Sequence, residues 1–346
     1  MPELPEVETI ARQLRRCVVG RTIRGFRSEW HRLTEPEPAD LVAARLAGRT
    51  VRGVRRRGKL VVLDLDGKEA LIVSLRMTGQ LLFHEREADP HPHRRALIAF
   101  TDGATLEYAD TRKFGRMAIV DTSALDLAAH RRRRRVGEPL HRYLGVEPLS
   151  RAFTERRLRE ILARRGRSAV KPLLLDQTEI AGIGNIYDIE ALWRARIHPR
   201  RSAGSLSREE VELLHEAIRW VLRKGIRLGG ATRRDYRDAR GRKGRMQREF
   251  NVYDRAGEPC SRCGAEIVRT VVGGRGTFHC PRCQRLPRSP ARPGPPAVRP
   301  ADAAGKARSR PRSGGSARAR ASRASARSRR AAARGSLRST GARRRA

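Results

Sequence analysis

Cys260 and Cys263 are separated by two residues, and after a further sixteen Cys280 and Cys283 repeat the same spacing. This pattern limits the fold more than any other in the chain. Each pair places two thiolates at one tight turn, the first eased by Gly264. Two such turns at the ends of a β-hairpin meet tetrahedrally around Zn²⁺. Four thiolates close the coordination sphere, so one zinc is expected and its role is structural. The hairpin tip would be Gly273-Gly274-Arg275-Gly276, where the arginine either meets a phosphate or is simply solvated. The fifth cysteine, Cys17, ends an apolar helical stripe and reads as a small buried side chain.

Charge narrows the partner. Lys and Arg total 77 against 37 Asp and Glu, a formal balance of +40 over 346 residues. Such a surface is drawn to polyanions, nucleic acid first and anionic membrane second. No amphipathic lipid anchor is evident, no apolar run approaches the ~20 residues needed to span a bilayer, and no secretory signal opens the chain. The expected setting is cytoplasmic and nucleoid-associated, with double-stranded DNA as partner to a monomeric protein. Residues 286–346 are rich in Arg, Ala, Ser, Gly and Pro, with Asp302 the sole acid. They are predicted to be a disordered tail that either attracts phosphates or only adds solubility.

The predicted architecture is multi-domain α+β. Residues 1–125 read as a catalytic domain: a helix from about residue 5 to 19 on the apolar stripe Val7, Ile10, Leu14 and Val18, then short strands at Thr50-Val51, Lys59 to Leu65, Ala70 to Leu75, Ala96 to Thr101, Thr105 to Tyr108 and Met117 to Val120 that form an antiparallel sandwich. Residues 126–250 read as helical. One amphipathic helix carries Phe153, Leu158, Ile161 and Leu162, and another spans Leu206 to Ile226 with Ser207 and Glu210 as a capping box. Residues 229–250 are expected to form a flexible loop. The zinc ribbon occupies 251–285 and the tail 286–346.

Several positions carry candidate chemistry. Removal of Met1 would expose Pro2 as a secondary amine that titrates near pH 8 and can form an iminium directly. Glu3 and Glu6 place carboxyl groups beside it for proton transfer, or merely favour a helix N-terminus. Gly182-Ile183-Gly184-Asn185 runs into a helix and would let the backbone approach a phosphate, or would only cap that helix. Lys59, after Arg55-Arg56-Arg57-Gly58, reads as a phosphate contact, a lysine near the nucleophile, or part of a solvated basic loop. Met77, Arg112 and Phe114 sit at strand ends; singly they suit a core, and together they suit wedges that fill DNA after a base leaves the stack.

Taken together, the segments PELPEVET, RRGKLVVLDL, SLRMTGQL, DTRKFGRM, KPLLLDQTEIAGIGNIY, GGATRRDYRDARGRKG, VYDRAGEPCSRCG and FHCPRCQ resemble the bacterial formamidopyrimidine-DNA glycosylases, in that family's order, over residues 1 to about 285. The resemblance implies a helix-plus-β-sandwich domain, a helix–two-turn–helix DNA-binding domain with a lesion-capping loop, and a zinc ribbon. It implies excision of 8-oxoguanine and formamidopyrimidines followed by β,δ-elimination at the abasic site. Pro2 would be the nucleophile at C1′, Glu3 the acid/base at the deoxyribose, Glu6 a supporting glutamate, and Lys59 a catalytic-site lysine on DNA phosphate. Met77, Arg112 and Phe114 would fill the helix, Lys171 and Asn185 would lie near or on the phosphate backbone, and Arg275 would be the zinc-hairpin arginine of the catalytic site and DNA contact. Two departures stand out: Arg245-Met246 where the family usually places an aromatic residue after the loop's second glycine, and the basic tail. An endonuclease VIII-type enzyme for oxidised pyrimidines is the nearest alternative. A non-enzymatic zinc-ribbon DNA-binding protein is the other, but it gives Pro2, Glu3 and Glu6 no role.

Overall fold

The computed structural model describes residues 1–126 and 143–286. The expected tail lies outside the described residues. Helix α1 (Leu4–Val18) begins after Glu3, whose backbone N–H donates to the Glu6 carboxylate at 2.8 Å. Its predicted stripe is buried, but the stripe serves two cores. Val7, Ile10, Leu14 and Val18 pack into the sandwich, while Leu4 packs among the helices that follow. Burying each such side chain contributes roughly 1.5–3 kcal/mol, so α1 fixes the junction between the two halves of the molecule.

The sandwich holds two four-stranded antiparallel sheets. One has β1 (Ile23–Ser28), β6 (Arg94–Phe100), β7 (Thr105–Ala109) and β5 (Gln80–His84) in that order. The other has β2 (Val51–Arg57), β3 (Leu60–Leu65), β4 (Glu69–Ser74) and β8 (Arg116–Asp121). Helices α2 (Ala39–Leu46) and α3 (Ser123–Asp126) lie in the connections. Arg55, Arg56 and Arg57, for which a solvated basic loop is one of the readings, are strand residues that pair with Val62, Val61 and Leu60.

The helical part contains α4 (Glu155–Arg164), α5 (Val170–Leu174), α6 (Asn185–Arg194) and α7 (Arg208–Arg227). The predicted box starts α7: Ser207 Oγ accepts from Glu210 N at 3.2 Å and Glu210 Oε2 accepts from Ser207 N at 2.8 Å. Strands β9 (Val268–Val272) and β10 (Arg275–His279) form the zinc hairpin. Gly273 and Gly274 both take positive φ, +58° and +71°, as a two-residue hairpin turn of this hand requires. Ile189 and Trp193 on the back of α6 pack with Val252, Ile267 and Phe278 of this module. Helix α6 therefore touches α1 at its start and the zinc hairpin along its side. Cys17 packs against the sandwich core but is only half-buried. Among the described residues no helix is long and apolar enough to cross a membrane.

Candidate active site at the junction of α1 and α6

Pro2 and Glu3 are buried where α1 meets the start of α6. Glu3 Oε1 accepts the N–H of Ile186 at 3.0 Å, and Oε2 accepts that of Tyr187 at 3.3 Å. Free amides and the helix dipole favour an anion at this place. The glycine turn reads either as an approach for a phosphate or as a cap for this helix; the anion that meets its amides is the protein's own Glu3. The reason is steric. A Cβ on Gly184 would collide with the Glu3 carboxyl, and one on Gly182 with Leu4. Leu4 N donates to Gly182 O at 3.0 Å, so the turn clasps the first residues of α1.

Glu6 lies behind Glu3 and is 1% exposed. It accepts from Tyr187 OH at 2.7 Å, Ala231 N at 2.6 Å and Glu3 N at 2.8 Å. Burial, followed by the neighbouring Glu3 charge, raises its pKa to about 6 against the opposing hydrogen bonds. Such a carboxyl can hold or release a proton near neutral pH. Lys59 follows the tight β2–β3 turn at Gly58, where φ is +58°. That turn is tied to the helical half: Gly58 N donates to Glu147, as does Arg57 Nη1 at 3.0 Å, and Arg57 Nη2 reaches Leu144 O and Gly145 O. Burial holds the Lys59 ammonium below its ordinary pKa; Glu3 opposes this, and Arg275 adds to it. Glu3, Glu6, Lys59 and Arg275 thus share one electrostatic neighbourhood, with Arg275 exposed at the base of β10.

Met77, Arg112 and Phe114 stand at the outer edge of the sandwich. Met77 is 38% and Phe114 47% exposed, so neither belongs to the core. The Arg112 guanidinium stacks over the Phe114 ring at 4.6 Å. The buried carboxylate of Asp110 ties both loops together. It accepts from Thr78 Oγ1, Tyr108 OH, Arg112 N, Phe114 N and Gly115 N. The sequence reading singled out the displayed side chains and missed Asp110. Its signal was an aspartate that precedes five residues ending in Phe-Gly, placed to accept from the turn it opens.

Lys171 departs from expectation. It is 0% exposed, and its ammonium donates to Asp188 Oδ2 at 2.8 Å and Asn185 Oδ1 at 2.6 Å. Asn185 Nδ2 in turn donates to Gly276 O of the hairpin at 3.0 Å. A lysine sealed in this way makes no phosphate contact; it orients Asn185, and through it the hairpin that bears Arg275. Burial raises the Asp188 pKa to about 6 despite Lys171. Asn185 remains half-buried at the start of α6.

The four expected zinc ligands come together. The sulfurs of Cys260, Cys263, Cys280 and Cys283 lie within 4.8 Å of one another, and none is in a disulfide. Tetrahedral Zn–S bonds of about 2.3 Å put sulfurs roughly 3.8 Å apart, so the cluster fits one zinc. Gly264 N donates to Cys260 O in the first turn, and Gln284 secures the second through Cys280 N and Ile197 O. Zinc here would supply closure of the hairpin, not reactivity.

A β-sandwich, a helical unit and a four-cysteine hairpin that converge on buried carboxyls and outward cations define a zinc-ribbon enzyme class built for nucleic acid. Residues 1–117 match the formamidopyrimidine-DNA glycosylase N-terminal domain, 144–237 the H2TH domain of the same enzymes, and 257–286 the zinc finger found in FPG and IleRS. The chain is 49% identical over 289 residues to the formamidopyrimidine-DNA glycosylase of Roseiflexus sp. (strain RS-1), covering 82% of this chain and 100% of that one. It is 46% identical to the enzyme of Geobacillus kaustophilus, with the same coverage. A Lactococcus lactis FPG variant solved with Fapy-dG-containing DNA aligns with a TM-score of 0.74 at 37% identity, over 82% of this chain and all of that one. The wild-type Lactococcus enzyme with an oxidised-pyrimidine DNA aligns at 0.73. The chain belongs to the formamidopyrimidine-DNA glycosylase family.

Proposed function

We propose that this protein is a bifunctional DNA glycosylase and AP lyase of base excision repair, acting as a monomer on oxidised purines in double-stranded DNA. The observation that carries the reading is the pair of buried carboxyls, Glu3 and Glu6, held beside buried Pro2 at the α1–α6 junction, with the charges of Lys59 and Arg275 felt at the same place. The lesion class is supported by the Fapy-dG duplex held by its Lactococcus relative. As a DNA-bound enzyme it would work at the nucleoid.

The target C1′ is inaccessible in stacked duplex, so the damaged nucleotide must leave the stack. Met77, Arg112 and Phe114 occupy the space it vacates, two of them as apolar wedges. Once Met1 is removed, the Pro2 amine attacks C1′. The C1′–N bond breaks and its electrons leave with the base, which takes a proton. Glu3 protonates the ring oxygen as deoxyribose opens. The resulting iminium acidifies the C2′ proton, whose loss expels the 3′ phosphate; a second elimination expels the 5′ phosphate. Lys59 and Arg275 hold the flanking phosphates, and Asn185 supports that grip from the start of α6.

Borohydride trapping on an 8-oxoguanine duplex, read by intact mass, tests this. Wild type should give a covalent adduct that lacks Met1. Pro2→Gly should bind the duplex and lose most of the adduct; undiminished trapping would remove Pro2 from the chemistry. Thymine glycol duplex serves as comparison substrate and should be cut more slowly than 8-oxoguanine paired with cytosine.

A further inference from the structure

Residues 231–245 were expected to be flexible, but the structure ties them down. Seven lysines and arginines fall in this stretch. Its neck is closed beside Glu6: Ala231 N donates to Glu6, Met246 N to Gly230 O at 2.9 Å, and Gly244 N to Thr232 Oγ1 at 2.9 Å. The far part crosses α1. Tyr236 and Ala239 are buried in the sandwich core, and Phe83 N of β5 donates to Ala239 O at 2.9 Å.

Gln13 meets this crossing with both ends of its amide. Its Nε2 donates to Asp238 Oδ2 at 2.8 Å, and its Oε1 accepts from Ala239 N at 2.9 Å. Asp238 is itself the hub of the turn, accepting from Arg240 N at 3.0 Å, Arg242 N at 2.9 Å and Arg242 Nε at 3.0 Å. A carboxylate only accepts and a backbone N–H only donates, so the group that faces both must do each. An amide does so; a carboxylate there would repel Asp238.

We propose that Gln13 is a positioning residue, a latch that holds the cation-rich loop across α1 before DNA arrives. The loop's charges then stand ready beside the site, and their ordering is not a cost of binding. This rests on the glycosylase reading only in giving the loop DNA to meet. Gln13 makes no contact with the groups assigned to chemistry, so the latch should govern substrate capture and not turnover.

The test uses full-length protein and three readouts: hydrogen exchange at the Ala239 amide, tryptic cleavage mapped between Arg233 and Arg245, and kinetics on an 8-oxoguanine duplex. Gln13→Glu should raise exchange and cleavage about tenfold, the scale of one to two lost hydrogen bonds. It should raise KM by a similar factor and leave kcat unchanged. Adding Asp238→Asn to Gln13→Glu exchanges amide and carboxylate; Arg242 Nε, which shares Asp238 Oδ2 with Gln13, loses its acceptor and its exposed side chain turns to solvent, so all three should return most of the way to wild type. Exchange and proteolysis need no substrate, so an inactive protein would sink the glycosylase reading while the latch was still judged. Unchanged exchange in Gln13→Glu, or a double variant as loose as the single one, would overturn the latch.

Discussion

At the floor of the site Glu3 and Glu6 are 2% and 1% exposed and their oxygens are taken by helix amides, a tyrosine and a loop N–H. At the rim Met77 and Phe114 are open to solvent, and what Asp110 holds is the backbone of Phe114 and the hydroxyl of Thr78, next to Met77. Groups that move protons need a fixed, dry setting, because desolvation and oriented donors set their pKa. Groups that enter DNA need free side chains on a backbone that does not yield. Arg275 is a second rim element, held by hairpin closure and the Asn185 bond instead of by a carboxylate.

If that division is right, the rim should be lost without the floor. Chelating zinc, or Cys260→Ser, should unfold the hairpin and lower duplex affinity about a hundredfold at matched salt. The melting of the sandwich should hardly move; unchanged affinity would mean that the hairpin carries no DNA site. Asp110→Ala strands several buried donors and should cost about 3–4 kcal/mol in urea unfolding. A loss under 1 kcal/mol would show that the rim loops have another support.

Glu6 tests the floor. Its folded pKa, about 6, stands above its ordinary value of 4.5. Its contribution is therefore fully present below about pH 4.5 and is lost as pH rises through 6, some 2 kcal/mol in all. Glu6→Gln should flatten that part of the stability profile; the same slope in the variant would place the titration elsewhere. Phe114→Ala should be the mildest, within about 0.5 kcal/mol of wild-type stability, with excision slowed about tenfold. A clear loss of stability would make Phe114 a core residue after all.

Much of this was legible. The cysteine spacing, the α1 stripe and the Ser207–Glu210 box each state a geometry in a few letters. Strands β1 and β5 were not foreseen: β1 breaks strict alternation through an irregular register between Ile23 and Gly25. Lys171 shows a deeper limit. One letter gives a charge but not its depth, and a buried ammonium paired with Asp188 reads the same as one that faces phosphate. The same holds for Gly182 to Asn185, where sequence showed room for an anion but not that residue 3 would fill it. Residues 229–250 looked mobile because glycine and charge dominate them; the bonds that fix them come from Gln13, Glu6 and Phe83, far away in the chain.

Where Gly184 stands, the amino end of one helix and the carboxyl that precedes another share a gap that admits hydrogen and no carbon. A single methyl group there would act as a spacer between the two halves of the molecule, lengthening both Glu3 bonds at once. The most economical way to disarm such a protein without touching any reactive group is thus to add one carbon atom.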